Sequence, residues 1–397
     1  MDWSFLIKGK DALQVTTDSR KVTPGCIFVA LKGEHFDGND FVEQAKADGA
    51  AYIISGENAL AELQDLAREW RRELHIPVIA ITGTNGKTTT KELSAAVLSK
   101  RYKVCYTQGN LNNQLGVPLT LLSITRAHEV AIIEMGASHP GDIKELVEIA
   151  EPDYGLITNV GKAHLQGFGS FEGVMATKRE LYDYLLAHNG LVFRNADNPY
   201  LQSMYLAAKR SDSKEVLYHT GSLPEGTHLV GGYNAENVSA ALCVGTYFGV
   251  SEAEALEAVK AYVPTNNRSQ LMQTEKNTVV VDAYNANPTS MQAAINAFTS
   301  RQCQCPGQSQ CFILGAMREL GDYSHLEHQN IVNMLLERKA DKALLVGKEY
   351  QETTAPYPIF ENVDALCDYL KEHPLEGYQI LLKGSRSNQL EKVISLL

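Results

Sequence analysis

Short apolar runs alternate with longer amphipathic segments along most of this chain. Apolar runs in its middle part predict strands at residues 78–81, 130–134, 155–159 and 191–195. A second series near the end predicts strands at residues 278–282, 312–314, 343–346 and 380–383. Segments with helical spacing follow these runs, and such alternation indicates mostly parallel sheets covered by helices. The chain is therefore predicted to be an α/β protein with two open sheets.

The first part of the chain predicts a smaller α/β unit. Its elements are two strands and two helices, at residues 27–31, 51–54, 41–47 and 59–74. The second helix ends before Pro77, and residues 264–268, Pro-Thr-Asn-Asn-Arg, have the composition of a linker. We therefore predict three domains, at residues 1–76, 77–264 and 265–397.

Composition excludes several classes of protein. Apolar residues make up 44% and charged residues 21% of the chain, which is typical of soluble globular domains. The formal net charge of −11 argues against a general nucleic-acid binder, because too little basic charge is left to neutralise a phosphate backbone. No apolar run is long enough to span a membrane, and Met-Asp-Trp-Ser at the N-terminus does not resemble a secretory signal. We expect a cytoplasmic protein.

The 7 cysteines predict free thiols rather than disulfides, since most are scattered and their number is odd. Cys303, Cys305 and Cys311 do cluster, but their spacing lacks a C-x-x-C pair and no histidine is close in sequence. An exposed loop with incidental thiols is favoured over a zinc site.

The most informative stretch is a glycine loop between the strand at residues 78–81 and a helix. Gly83 and Gly86 allow backbone N–H groups to surround an anion, and Lys87 can reach the outer phosphates of a nucleotide. Thr88 or Thr89 can offer a hydroxyl to Mg²⁺. Ile81 stands where the full Walker pattern has its first glycine, so the motif is a shorter form. A plain glycine turn would have no use for a lysine at a helix N-terminus, where a cation opposes the dipole.

Polar residues at the carboxyl ends of the predicted central strands extend this site. Glu134 ends a buried strand, and its carboxylate is the kind of ligand that Mg²⁺ prefers. Asn159 ends the next strand and is followed by His164, for which a structural and a functional interpretation both remain open.

Lys178 and two asparagines are further candidates, each with an ordinary alternative. Lys178 shares a helix face with Val174, Leu181 and Leu185, so it either snorkels to water or is desolvated and available for chemistry. Asn234 and Asn237 share a face at the start of another helix, where they could cap it or bind a nucleobase.

Taken together, the motifs resemble those of the Mur ligases, and the resemblance covers all three predicted domains. The segments that carry it are residues 82–92, 109–120, 134–143, 159–165, 267–269, 282–288 and 314–321. The resemblance implies an ATP-dependent amide ligation, in which D-alanyl-D-alanine is added to a UDP-N-acetylmuramoyl tripeptide through an acyl phosphate. It implies ATP, two Mg²⁺ ions and a carbamylated lysine at Lys178, and a small UDP-binding domain, a central ATPase domain and a Rossmann-like last domain. We expect a monomer.

The resemblance also implies a role for each matching residue. Catalytic positions are Lys87, Asn110, His164 and Lys178. Nucleotide contacts are Gly83, Thr84, Asn85, Gly86, Lys87, Thr88, Thr89, Asn234, Asn237, Arg268 and Asp282. Metal contacts are Thr88, Glu134, His164 and Lys178. Contacts to the UDP-linked substrate are Asp18, Ser19, Arg20, Lys32 and Gly33.

Two alternatives remain open at this point. One is an amino-acid-adding ligase of the diaminopimelate type, although its Asp-Asn-Pro-Arg signature is matched only by Asp197-Asn-Pro-Tyr200 in the wrong domain. The other is a nucleotide-binding module that has lost activity, which predicts gaps among the catalytic positions. Folylpolyglutamate synthases share the last two domains but should lack the first.

Overall fold

The computed structural model describes residues 2–33, 36–264, 268–300 and 308–397. Residues 265–267 of the predicted linker, which include Asn267 of the matching motif, lie outside the described residues, as do Cys303 and Cys305. Among the residues described, no helix is both long and apolar enough to cross a bilayer.

Three sheets organise the chain. Their strands are β1 Val15–Thr16, β2 Ile27–Val29, β3 Tyr52–Ile54, β4 Val78–Thr82, β5 Val104–Tyr106, β6 Val130–Glu134, β7 Tyr154–Ile157, β8 Leu191–Asn195, β9 Lys214–Tyr218, β10 Gln270–Gln273, β11 Thr278–Asp282, β12 Ser309–Gly315, β13 Lys342–Val346, β14 Ile359–Phe360 and β15 Tyr378–Lys383. The helices are α1 Ser4–Ile7, α2 Val42–Ala47, α3 Ala59–Leu74, α4 Lys87–Leu98, α5 Gly116–Leu122, α6 Asp142–Ala150, α7 Leu165–Phe168, α8 Phe171–Ala187, α9 Pro199–Ala208, α10 Asn234–Tyr247, α11 Glu252–Ala261, α12 Pro288–Thr299, α13 Ser324–Glu337 and α14 Val363–Glu372.

Strand pairing confirms the predicted α/β class. The first sheet has the order β1-β2-β3 and the central sheet β5-β6-β4-β7-β8-β9, and every pair in both is parallel. The last sheet has the order β10-β11-β15-β12-β13-β14 and is parallel except for the antiparallel edge strand β10. Strand order therefore places β4 between β6 and β7, so that the ends of these three strands are neighbours.

The two faces of the central sheet are covered by different helices. Side chains alternate along β4, so that Val78 and Ala80 pack with α3, α5, α6 and α8, whereas Ile79 and Ile81 pack with α4, α10 and α11. All five residues of β4 are buried, which explains its continuous apolar run.

Helix α3 connects the first sheet to the central one. Trp70 is fully buried on α3, and its indole Nε1 donates to the carbonyl of Ile124 at 2.9 Å. One apolar cluster contains Trp70 together with Ile54 of the first sheet and Val78 of the central sheet. Burying an aromatic or aliphatic side chain of this size contributes about 1.5–3 kcal/mol. The predicted boundary at residue 76 thus crosses a shared apolar core, and the three domain ranges stay predictions.

The cysteine prediction is partly wrong. Cys311 is fully buried on β12 and not in an exposed loop, because it fills the interior face of a central strand. Burial raises the pKa of its thiol to about 12. The five cysteines within the described part of the chain are free thiols, as expected.

Candidate active site

A cavity of about 680 Å³ lies at the carboxyl ends of the strands, between the central and last sheets. Residues from the glycine loop, from the ends of β6 and β7, from α10 and from the end of β11 line it. The predicted site residues that line the cavity are Thr84, Asn85, Gly86, Lys87, Thr88, Thr89, Asn110, Glu134, His164, Asn234, Asn237, Arg268 and Asp282. One cavity therefore brings together most of the predicted nucleotide and metal contacts.

The glycine loop has the conformation that its sequence predicts. Gly83 and Gly86 have positive φ values of 142° and 79°, which glycine adopts without strain. A Cβ atom at Gly83 would lie 2.0 Å from Thr158 Oγ1, and one at Gly86 would lie 2.3 Å from Asn237 Oδ1. Both glycines are therefore required by conformation and by close packing. Gly86 precedes α4, whose first N–H groups have no partner within the helix and are available to an anion.

Lys87 is folded back onto the glycine loop. Its Nζ donates to the carbonyl oxygens of Gly83 at 2.8 Å and Thr84 at 3.1 Å. Burial lowers the pKa of Lys87; the charge of Glu134 opposes this shift and that of Arg268 adds to it. Its only hydrogen bonds within the described chain are to these carbonyls, so the ammonium can turn toward phosphate oxygens.

Glu134 has the features of a metal ligand. Its side chain is buried, and Oε1 accepts hydrogen bonds from Asn112 Nδ2 at 2.8 Å and Thr88 Oγ1 at 3.2 Å. Oε2 is buried and makes no hydrogen bond with any described residue, and Lys91 Nζ lies 3.7 Å from it. A buried carboxylate oxygen without a hydrogen-bond partner, beside a threonine hydroxyl, fits the oxygen ligands that Mg²⁺ requires. The residues that the structure describes contain no group of three or more His, Cys, Asp or Glu side chains arranged for a metal.

His164 contacts the last unit of the chain, the part that contains β10 to β15; the part that contains β4 to β9 is the central unit. It adopts a left-handed conformation with φ of 49°, and its Nδ1 contacts the carboxylate of Glu319. Burial lowers the pKa of the imidazole, and the nearby Lys87 and Lys178 lower it further, whereas Glu319 opposes the shift. The neutral ring is thus favoured, which leaves a nitrogen free to act as a ligand or an acceptor.

Lys178 is desolvated on α8 and is not one of the residues that line the cavity. The residue is 2% exposed, so its ammonium does not reach solvent by snorkelling. Its Nζ lies 5.6 Å from the centroid of the Phe168 ring, and no carboxylate of the described chain lies within 4 Å of it. Burial, with Lys87 nearby, lowers its pKa well below the usual lysine value. Burial therefore disfavours the charged ammonium at this position.

The two asparagines of α10 form one hydrogen-bonded unit rather than a cap. Tyr233 occupies the N-cap position, and Asn234 Nδ2 donates to the carbonyl of Val230 at 2.7 Å. Asn237 Nδ2 donates to Asn234 Oδ1 at 2.9 Å, and Asn237 Oδ1 accepts from Thr90 Oγ1 at 3.1 Å. Both side chains are buried and line the cavity beside the glycine loop.

The ends of β11 and β15 form the opposite wall. Asp282 and Lys383 are register partners, and Lys383 Nζ donates to Asp282 Oδ2 at 2.6 Å. The guanidinium carbon of Arg268 lies 3.8 Å from the Tyr284 ring centroid. The Nε atom of Arg268 is buried and has no hydrogen-bond acceptor among the described residues. The last unit thus presents a buried cation toward the cavity.

The predicted contacts to the UDP-linked substrate do not line this cavity. Asp18 caps the short 3₁₀ helix Ser19–Lys21 and pairs with Arg20, whose guanidinium Nε lies 2.8 Å from it. The hydrogen bonds from Arg20 lower the pKa of Asp18 to about 2. Lys32 and Asp37 form an isolated antiparallel β-bridge, and the backbone N–H of Gly33 donates to the carbonyl of Phe36 at 2.9 Å. A separate cavity of about 370 Å³ lies next to this region, between the first unit and α5.

Several residues at the site were not predicted from the sequence. Asn112, Lys383 and Glu319 contact Glu134, Asp282 and His164. All three lie in segments that end strands or follow them, and this position could have marked them as candidates. Their contacts could not be predicted, because their partners lie between 22 and 155 residues away.

The last unit contacts the central unit directly around the cavity. Asn287 Nδ2 donates to Asn85 Oδ1 at 2.8 Å, and Lys162 Nζ lies 2.8 Å from the buried carboxylate of Glu327. The backbone N–H of Gln166 donates to the carbonyl of Glu319 at 3.2 Å. The two units therefore close over the glycine loop.

Comparison with known proteins identifies the family of this chain. Three family models match the chain, described as the catalytic domain of the Mur ligase family at residues 13–104, the Mur ligase middle domain at residues 81–225, and the Mur ligase glutamate ligase domain at residues 267–386.

Individual proteins match over nearly their whole length. The UDP-N-acetylmuramoyl-tripeptide–D-alanyl-D-alanine ligases of Bacillus subtilis and Escherichia coli are each 34% identical to this chain. Each alignment covers 96% of this chain, and 92% and 93% of those proteins. The crystal structure of the MurF ligase of Thermotoga maritima in complex with ADP matches with a TM-score of 0.85 and 27% identity, covering 98% of each chain. The chain belongs to the Mur ligase family.

Proposed function

We propose that this protein is an ATP-dependent ligase that joins D-alanyl-D-alanine to a UDP-N-acetylmuramoyl tripeptide. The observation that carries the proposal is the single cavity in which the glycine loop, the buried Glu134 carboxylate and the cations of the last unit meet. The names of the Bacillus subtilis and Escherichia coli relatives support the choice of substrates.

The reaction that we infer has two steps. A carboxylate oxygen of the tripeptide forms a bond to the γ-phosphorus of ATP, the bond from that phosphorus to the β,γ-bridging oxygen breaks, and ADP leaves. The neutral amine of D-alanyl-D-alanine then attacks the acyl carbon of the acyl phosphate. The tetrahedral intermediate expels phosphate, and the nitrogen loses its proton to give the amide.

The chief physical obstacle to the first step is repulsion between a carboxylate and a triphosphate. We assign Lys87 and Arg268 to the phosphate oxygens, because both are cations at the cavity wall and each has capacity to donate further hydrogen bonds. Asn110, which is exposed at the cavity, is placed beside the acyl phosphate. Positioned charges of this kind supply most of the catalysis in phosphoryl transfer.

Two Mg²⁺ ions fit the ligands that the site offers. Thr88 and Glu134 would hold one, and His164 and a carbamylated Lys178 would hold the other. When bound, the ions neutralise charge on the phosphate oxygens. The carbamate would form when the neutral amine of Lys178 bonds to the carbon of CO₂ and releases one proton. Two features support this role: Lys178 is buried, and it forms no ion pair with any carboxylate of the described chain.

The remaining assignments follow the walls of the cavity. Asn234 and Asn237 would bind the adenine, since their buried amides adjoin the glycine loop, and Asp282 would bind the ribose. Gly83, Thr84, Asn85, Gly86 and Thr89 would surround the phosphates. The first unit, with Asp18 to Arg20 and the Lys32-Gly33 turn, would bind the UDP moiety. ATP and UDP-linked precursors are cytoplasmic metabolites, so we propose a cytoplasmic protein. That it is a monomer stays a prediction.

Neither alternative is favoured. The named relatives add D-alanyl-D-alanine and not diaminopimelate. An inactive module would have lost catalytic positions, whereas Lys87, Glu134, His164 and Lys178 are all in place.

Phosphate release from ATP tests the proposal. We expect release with UDP-N-acetylmuramoyl tripeptide and D-alanyl-D-alanine together, and a large drop when either is left out. Release that instead depends on a single amino acid such as diaminopimelate or glutamate would exclude the assignment.

A further inference from the structure

Asn287, in the last unit of the chain, is bonded at both ends of its side-chain amide. Its Oδ1 accepts the backbone N–H of Ser290 at 2.8 Å and so caps α12. Its Nδ2 donates to Asn85 Oδ1 at 2.8 Å, in the glycine loop of the central unit. The residue is 5% exposed, so both hydrogen bonds are shielded from water.

An amide satisfies both ends of this arrangement. The cap needs an acceptor and Asn85 Oδ1 needs a donor, and asparagine supplies both within one short side chain. Asn85 Nδ2 in turn lies 3.5 Å from Asn287 Oδ1, so the two amides face each other. Serine would still cap the helix, but its shorter side chain would leave Asn85 without this partner.

Asn85 is in turn held by the turn after β7. Its backbone N–H donates to Asn159 Oδ1 at 3.0 Å, and its carbonyl accepts from Thr158 Oγ1 at 2.6 Å. With the bond from Asn287, its backbone and side chain are both fixed immediately before Gly86. The conformation of the loop is therefore set partly by the last unit.

A second contact fixes the first turn of α12 against the same turn. Thr289 Oγ1 accepts the backbone N–H of Lys162 at 3.0 Å. Gly161 N donates to Thr84 Oγ1 at 3.0 Å, so this turn also holds the glycine loop. A Cβ atom at Gly161 would lie 2.6 Å from Thr289 Oγ1, which shows how closely the two units approach.

We propose that Asn287 is a positioning residue that acts through Asn85 to preorganise the glycine loop for phosphate. It does not itself contact the reacting atoms. A loop already held in its binding conformation loses less entropy when the anion binds. The inference rests on the proposed function only for the identity of that anion as a nucleotide.

Amide hydrogen exchange in the full chain without nucleotide tests this directly. Asn287→Ser should speed exchange in peptides that cover residues 82–92, while the cap of α12 is kept. The matched control is Asn362→Ser, because Asn362 caps α14 in the same way, with Oδ1 accepting from the N–H of Ala365 at 3.0 Å. Exchange in the loop that is the same in Asn287→Ser as in the wild type would overturn the inference.

Affinity for ADP with Mg²⁺, measured by calorimetry, gives a second readout. Asn287→Ser should weaken binding roughly 10- to 100-fold, the effect of one unsatisfied buried polar group, and Asn362→Ser should change it by less than about twofold. Asn287→Ala should weaken binding in the wild type but much less in an Asn85→Ala background. Equal losses in both backgrounds would overturn the coupling. Wild-type protein that binds no ADP would contradict the proposed function instead, and hydrogen exchange would still decide the role of Asn287.

Discussion

At the residue scale, the site holds basic side chains close enough to affect one another's charge. Burial lowers the pKa of Lys87, Lys178 and His164, and the charge of Lys87 adds to the shifts of the other two. Glu134 is the buried carboxylate beside them, and one of its oxygens has no hydrogen bond in the described chain. Such an arrangement is stabilised by added negative charge, whether from phosphate groups or from a carbamate on Lys178.

Lys178 gives the first prediction. Lys178→Ala should lower ligase activity at least 100-fold, because a carboxylate-like ligand is lost, and bicarbonate or a short carboxylate such as acetate should restore part of it. The measurement is the rate of phosphate release at increasing concentrations of added bicarbonate or acetate. Lys371→Ala, on the exposed surface of α14, is the control and should keep full activity. Full activity of Lys178→Ala without any addition would refute the carbamate role.

The residue types at the site were predictable from the sequence, but their partners were not. Glu134 ends a strand and His164 follows one, which made them candidates, and helical spacing placed Lys178 on the buried face of α8. The contact of His164 with Glu319 joins two units of the chain, and no local pattern contains that information. The same holds for Lys383, which needed the register of β11 and β15 to be seen.

At the element scale, α13 is hydrogen-bonded to the loop after β12, which contains Glu319, the residue that contacts His164. His328 is fully buried on α13; its Nε2 accepts the backbone N–H of Met317 at 3.0 Å, and its Nδ1 lies 2.7 Å from the carbonyl of Ser324. The first bond requires an unprotonated Nε2. Burial lowers the pKa of His328, although the nearby Glu349 and Glu327 partly oppose the shift.

This shift predicts a loss of stability in acid. Because the pKa of His328 is lower in the folded than in the unfolded protein, the unfolded chain takes up the proton first as the pH falls below about 6.5. The free energy of unfolding therefore falls as the pH drops from about 6.5 to the pKa of His328 in the folded protein, by at most about 1.4 kcal/mol per pH unit. Urea unfolding at pH 7.5 and pH 5.5 should show a smaller loss for His328→Gln than for the wild type. His373→Gln, on an exposed helix end, should behave as the wild type, and an equal loss in all three proteins would contradict this prediction.

Three predicted strands and one predicted helix have the bounds that the structure shows. β6, β8 and β11 have the bounds expected from their apolar runs, and α3 spans residues 59–74 as predicted. The edge strands β9, β10 and β14 and the short strands β1 and β5 were not predicted. Edge strands are half exposed and carry mixed side chains, so they lack the continuous apolar run that marks an interior parallel strand.

At the scale of the whole molecule, the site exists only where the central and last units meet. Gly161 and Thr289 approach each other closely, and a Cβ atom at Gly161 would collide with the side chain of Thr289. The order of the units could be predicted from the sequence. Their mutual fit could not, because it depends on surface shape at residues far apart in the chain.

Gly161→Ala should therefore force the two units apart and lower kcat by about 10-fold or more, since misplacement near 1 Å has effects of this size. Thr289→Ala in the same protein should restore part of the loss, because the nearest remaining atom is then Cβ, 3.0 Å away. Gly221→Ala is the control, with its nearest neighbour at 3.7 Å. Steady-state kinetics measure all three, and a fully active Gly161→Ala would show that this close approach is not needed.

Transfer of oxygen isotope tests the ligase mechanism most directly. When the terminal carboxylate of the UDP-N-acetylmuramoyl tripeptide carries ¹⁸O, an acyl phosphate passes one of those oxygens to the phosphate that the amine of D-alanyl-D-alanine expels. We expect mass spectrometry to find one ¹⁸O in each phosphate released during amide formation. Amide product accompanied by unlabelled phosphate would contradict the acyl-phosphate ligase that we propose.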